Sequence, residues 1–339
     1  MKRSRGRRLA GLAILAGLAQ WFAAPDAAAE VAIRRSSTGE PQTLDPQRWV
    51  YGQDGNIAQD LFQGLTTLGA KGEVAPGQAE SWSAAPDGRR YTFRLRSGLQ
   101  WSDGASLTSA DFLYSFRRYF DPATAVPSAS LLYAIRNARE VSAGRLPPER
   151  LGVSAPDERT VVIDLEHPAP FLPELFAHRG LPVPRHVVTK WGDQWTRPEH
   201  IVSNGAFVFG EWRPGSHVKL LRNPRFHEAA GVRIDAIYHV PVEDPKAALA
   251  RYRAGELDVV VNLPSEQLDE LRRDFGTQLH LVRQIGLEYL AFNTRRAPLA
   301  DARVRRALSM AVDRELLSAR ILRAGEPPAY GLVPPGVDD

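Results

Sequence analysis

Catalysis needs a nucleophile, a base or a set of metal ligands at recognisable spacing, and this 339-residue sequence offers few starts. His227-Glu228 begins like the helix of a zinc protease, in which a second histidine one turn later completes the metal site. Gly231 stands there instead. The eight histidines are otherwise scattered, and none pairs with another at ligand spacing. No G-x-G-x-x-G, no phosphate-binding P-loop and no G-x-S-x-G elbow occurs. The acidic pairs Asp157-Glu158 and Glu243-Asp244 sit beside turns or helix starts, where the helix dipole accounts for them without proton transfer. The residues therefore point away from an enzyme, a cofactor and a resident metal. Only a constellation assembled from distant positions would reverse that reading.

What remains is scaffold, and its clearest piece is LQWSDGASLTSADFLYSFRR at 99–118. Ser102-Asp103-Gly104 reads as a tight turn. Thr108 and Asp111 have the spacing of a capping box, with Asp where Glu is usual. Phe112, Ser115, Phe116 and Tyr119 follow at helical spacing on one face, the pattern of a core stripe. Asp121-Pro122 stops the helix.

The surrounding chain mixes strands and helices. VAIRRS reads as a strand, and Tyr91, Phe93 and Leu95 alternate with polar residues as a half-buried strand. Leu99-Gln100-Trp101 is expected to return antiparallel to it. Val161, Ile163 and Leu165 repeat the alternation, as do His217, Lys219 and Leu221. Asn56 is expected to cap a helix through Ile57, Leu61 and Phe62 that ends at Gly64. Asp244-Pro245 starts another helix, closed by Gly255, and LDVVV then reads as a buried strand. Asp301 and Asp313 are expected caps of two further helices. Residues 167–185, with five prolines, connect. The class is α/β or α+β, with no internal repeat.

Charge and composition bound the surroundings. Lys2, Arg3, Arg5, Arg7 and Arg8 against Asp26 account for the whole net charge of +4, so residues 30–339 are balanced. That balance argues against a nucleic-acid partner. The basic start, the apolar run LAGLAILAGLAQWFAA and Ala27-Ala28-Ala29 have the layout of a cleavable signal peptide over residues 1–29. The run is shorter than the ~20 apolar residues of a membrane span. Arg7-Arg8 leaves Sec and twin-arginine export both open. With no cysteine in the chain, there is no residue for a lipoprotein anchor.

Eight segments in order, GEPQTLDP (39–46), QDLFQGL (59–65), APGQAESW (75–82), YTFRLRSGLQWSDGASLTSADFLYSFRR (91–118), LGV (151–153), LPVPRHVVTKWGDQWTRPEHIVSNGAF (181–207), YRAGELDV (252–259) and DARVRRALSMAVDR (301–314), resemble the extracytoplasmic solute-binding proteins of ABC importers. The match is to the oligopeptide/dipeptide/nickel-binding family (family 5), and it covers nearly all of residues 31–339. The resemblance implies a two-lobe periplasmic binding protein (type II-like) with an extra small domain on lobe one. It divides the chain into lobe one (30–62 and 186–285), the small domain (63–185) and the start of a second large lobe (286–339) that is incomplete. It also implies a peptide ligand, a separate permease with its ATPases, a periplasmic location and a monomer.

Carried over by resemblance, Gly52 falls where relatives hold the ligand by main chain. Tyr289 matches a tyrosine near the site, and Asn262 a site asparagine. Val50 and Ala291 stand where relatives carry acids, and Ser128 where they carry a tyrosine. These changes leave the ligand open among oligopeptides, dipeptides, murein peptides, opine-like compounds and metal complexes. An exported chaperone-like module and a non-functional fragment are further alternatives.

Overall fold

The computed structural model describes residues 30–282 and 286–333. The signal peptide expected over residues 1–29, with its cleavage near Ala29, lies outside the described residues. The strands are β1 (Ala32–Ser37), β2 (Thr66–Leu68), β3 (Val74–Pro76), β4 (Ala79–Ala84), β5 (Arg90–Leu95), β6 (Val153–Asp157), β7 (Thr160–Asp164), β8 (Phe207–Arg213), β9 (His217–Arg222) and β10 (Ala236–Pro241). The helices are α1 (Gly52–Leu61), α2 (Ser109–Phe120), α3 (Ala138–Ser142), α4 (Leu172–Leu175), α5 (Arg185–Trp191), α6 (Pro245–Arg253), α7 (Leu268–Phe275), α8 (Ala302–Met310) and α9 (Arg314–Leu316).

Two four-stranded sheets organise the α/β fold. One has the order β1-β10-β9-β8, with β1 parallel to β10 and the other pairs antiparallel. The other, β4-β5-β7-β6, is antiparallel throughout and comes from the intervening chain. Against it packs α2. Asp111 accepts the Thr108 N–H at 2.9 Å, the returning half of the expected capping box. The stripe Phe112, Ser115, Phe116 and Tyr119 is buried as its spacing requires. Phe176, from the proline-rich connection, meets Phe93 and Phe116 edge-to-face at centroid distances of 5.6 and 5.5 Å. Gly64 has no alternative there, since a Cβ would lie 1.9 Å from the Phe176 carbonyl oxygen.

Three local expectations are corrected. Helix α1 begins at Gly52 behind an extended Tyr51, so Asn56 lies inside it; Asp54, an acid in the first turn, is the true start signal. Leu99–Trp101 does not return along β5, whose two sides are taken by β4 and β7. It folds back on itself instead: Trp101 N–H donates to the Ala105 carbonyl and Leu107 N–H to that of Leu99, around Gly104 at φ +93°. LDVVV buries Leu257, but Val259 and Val261 are 40% and 41% exposed. The segment runs beside β1 for one parallel bridge, Arg35 to Val259, with backbone hydrogen bonds from Asp258 and Val259 to the Arg34 carbonyl, at the sheet's open margin. The aspartate caps hold: Asp244, Asp301 and Asp313 each accept a backbone N–H of the helix that follows. Among the described residues, no helix is long and apolar enough to cross a membrane.

Candidate functional site

The connection from β1 to α1, residues 38–51, is held from beneath by α2, through the Arg118 side chain and the Ser115 carbonyl. Arg118 donates to both oxygens of Asp45, at 3.3 and 2.6 Å, and to Gln47 Oε1 at 2.7 Å. Gln47 Nε2 in turn donates to the carbonyls of Ser115 and Leu181. Trp195 Nε1 adds a bond of 3.4 Å to Asp45 Oδ2. Asp45 and Arg118 are nearly buried, so this is a desolvated, bidentate pair.

On that base the connection forms a cavity of about 320 Å³ lined by Gln42, Thr43, Arg48, Val50 and Asp54. Asp54 accepts the Gln42 N–H at 2.8 Å; burial raises its pKa, and hydrogen bonds from Gln42, Tyr51 and Val50 oppose the rise. Arg48 meets Asp193, an exposed carboxylate, at 3.3 Å. Val50 is 58% exposed, and a Cβ added to Gly52 would touch nothing within 4 Å. The backbone from Val50 to Gly52 is thus open to approach.

Ser128 lies elsewhere in the chain but is linked to this region. The Tyr119 hydroxyl sits 3.1 Å from Ser128 Oγ, and burial pushes its pKa up. The positive charge of Arg179 acts on the same phenol, and its guanidinium lies 3.5 Å from the centre of the Trp49 ring, next to Val50. Asn262 is exposed and follows Val261, whose N–H donates to Ser36 Oγ at the end of β1. Tyr289, 71% exposed, and the exposed Ala291 are not joined to any of these. Val50, Gly52 and Ser128 therefore share one region, Asn262 is anchored to the strand that feeds it, and Tyr289 stands apart. Sequence reading missed Arg48, Asp54, Trp49 and Arg179. The first three flank Val50 and Gly52 and were within its reach; Arg179 carries no local signal. Among the described residues, no group of three His, Cys, Asp or Glu side chains could hold a metal ion.

A family model described as bacterial extracellular solute-binding proteins, family 5 middle, matches residues 73–339. The chain is 38% identical to the probable deoxycholate-binding periplasmic protein YgiS of Escherichia coli, over 90% of this chain and 57% of that protein. It is 36% identical to the periplasmic oligopeptide-binding protein OppA of Salmonella typhimurium, over 90% of this chain and 56% of that one. The chain thus spans about half the length of the curated relatives it matches. The crystal structure of Haemophilus influenzae OppA in complex with the peptide RPPGFSPFR superposes with a TM-score of 0.86 at 34% identity, covering 90% of this chain and 60% of that one. With the family model matching most of its residues, the chain belongs to the bacterial extracellular solute-binding proteins of family 5.

Proposed function

We propose that this chain supplies the ligand-capturing part of an ABC importer, taking oligopeptides in the periplasm and delivering them to a membrane permease driven by separate ATPases. The observation that carries this reading is the superposition on a peptide-bound relative across 90% of the chain. In this reading the open backbone at Gly52 pairs with the main chain of an extended peptide, as an added strand does. Val50, Ser128, Asn262 and Tyr289 meet the ligand's side chains. The protein works as a monomer without cofactor, metal or chemical turnover, and reaches the periplasm behind a signal peptide cleaved near Ala29. Residues 30–62 with 186–285 form lobe one, 63–185 the small domain, and 286–339 belong to the second large lobe.

The test is a thermal melt with and without pooled short peptides, paired with native mass spectrometry of whatever co-purifies. A ligand at 100 times its Kd adds ~2.7 kcal/mol to the native state. A melt that rises with peptide supports the reading. A cooperative melt that no peptide moves refutes it. A second reading, an amphipathic non-peptide ligand, is favoured by the 38% identity to YgiS and by the apolar Val50 at the cavity; a non-peptide mass in the native spectrum would select it.

A further inference from the structure

Arg179 is the one feature of this region that its surroundings leave unexplained. Its guanidinium is partly buried, and burial lowers its pKa. Among the described residues no carboxylate forms an ion pair with it, and its side chain makes no hydrogen bond. By contrast, the nearby buried Arg118 has both oxygens of Asp45 and Gln47 Oε1. What Arg179 does have is an aromatic floor, the Trp49 ring at 3.5 Å. A guanidinium seated over a ring keeps its N–H edges free for in-plane acceptors, and the ring does not neutralise it. Gly180, at φ +62°, has no room for a side chain because Phe116 and Leu132 close around it, which fixes the backbone that carries Arg179. Trp49, Ser128 and Arg179 are all partly exposed, so solvent and ligand reach them. A half-desolvated cation without a counter-charge is costly and favours an incoming anion. The fork of a guanidinium matches a carboxylate in two parallel bonds.

We propose that Arg179, stacked on Trp49 beside the Tyr119–Ser128 pair, is the anchor for a carboxylate of the bound ligand and selects acidic ligands over their neutral counterparts. The selection of acidic peptides rests on the peptide-binding reading above; the carboxylate site itself does not.

The experiment measures affinities of matched ligands. Alanine pentapeptides with a single glutamate at each position in turn are compared with their glutamine twins, and the free acid with the C-terminal amide. Wild type should prefer the acidic member of at least one pair by about tenfold or more. Arg179→Gln should collapse that ratio, and Arg179→Lys, which keeps the charge but loses the fork, should retain part of it. Because the readout is a ratio within one protein, partial misfolding does not mimic the result. In parallel, N-acetylglutamate and N-acetylglutamine are compared by thermal melt. If pentapeptides bind without an acid preference, or the preference survives Arg179→Gln, the proposal is overturned while peptide binding stands. If no peptide binds but N-acetylglutamate stabilises wild type and not Arg179→Gln, the carboxylate site stands and the peptide reading fails. If neither probe acts, both fall.

Discussion

Replacing Asp45 by asparagine removes one charge from the pair that seats the 38–51 connection on α2, and its cost follows from the contacts. Arg118 would lose its bidentate partner at 2.6 and 3.3 Å while staying almost wholly out of water. Trp195 Nε1 would keep only a neutral acceptor. Breaking a buried ion pair by removing one member costs ~3–5 kcal/mol, mainly because the remaining charge is left uncompensated. Gln47 Oε1, 2.7 Å from Arg118, still accepts, which places Asp45→Asn near the low end, at ~3 kcal/mol. With a urea slope of about 3 kcal/mol/M, the midpoint should fall by roughly 1 M. The assay is urea unfolding followed by tryptophan fluorescence for Asp45→Asn, Arg118→Met and the double variant. The double variant should be less damaged than the two single losses added together, with a coupling of at least about 1.5 kcal/mol. A loss below about 1 kcal/mol for Asp45→Asn, or additive losses, would refute the argument that this pair is desolvated and mutually dependent.

Phe176→Ala should cost ~3–5 kcal/mol by opening a cavity between Phe93 and Phe116, read from the same unfolding curves. Gly64→Ala should be more damaging than its size suggests, because the new methyl collides with the Phe176 carbonyl; a wild-type melting temperature would contradict the close approach. His178 and His227 have pKa values lowered from 6.5, first by burial and then by Arg179 and Arg96 respectively. The unfolded chain then takes up protons near pH 6.5, before the native state does, so their contribution is complete above that pH and lost as the pH falls toward the folded values. Melts taken across this window should drop with acidification, and His178→Gln with His227→Gln should flatten the drop; an unchanged slope in the double variant would count against it.

The features legible in the sequence are those that a few neighbouring residues decide. A capping box at Thr108–Asp111, a turn at Ser102–Gly104 and aspartate caps at 244, 301 and 313 are satisfied by atoms three residues away or fewer. The aromatic stripe of α2 needed only helical periodicity to be assigned to the core. Strand partnership was not legible, because period two says which face is buried and not which strand lies alongside. Hence alternation alone directs Leu99–Trp101 to β5, and an apolar run alone directs LDVVV to the interior. The same limit applies to the site. Val50, Gly52 and Ser128 are reached only through the family resemblance, position by position, and lie between the matched segments. The stack of Arg179 on Trp49 joins two distant stretches, and neither residue type announces it.

The parallel pairing of β1 with β10 also carries a consequence in time. Val31 finds its hydrogen-bond partner Asp235 only 204 residues later. The first of the described strands therefore waits, unpaired, until most of the described polypeptide has emerged. The antiparallel sheet β4-β5-β7-β6 closes from residues 79–164 alone and can assemble during that interval. Closing the longer loop carries a larger entropy cost before any contact offsets it, so docking of β1 is expected to be the late step of folding. In the proposed role, in which the chain crosses a membrane before it folds, a first strand that cannot close early is compatible with staying threadable.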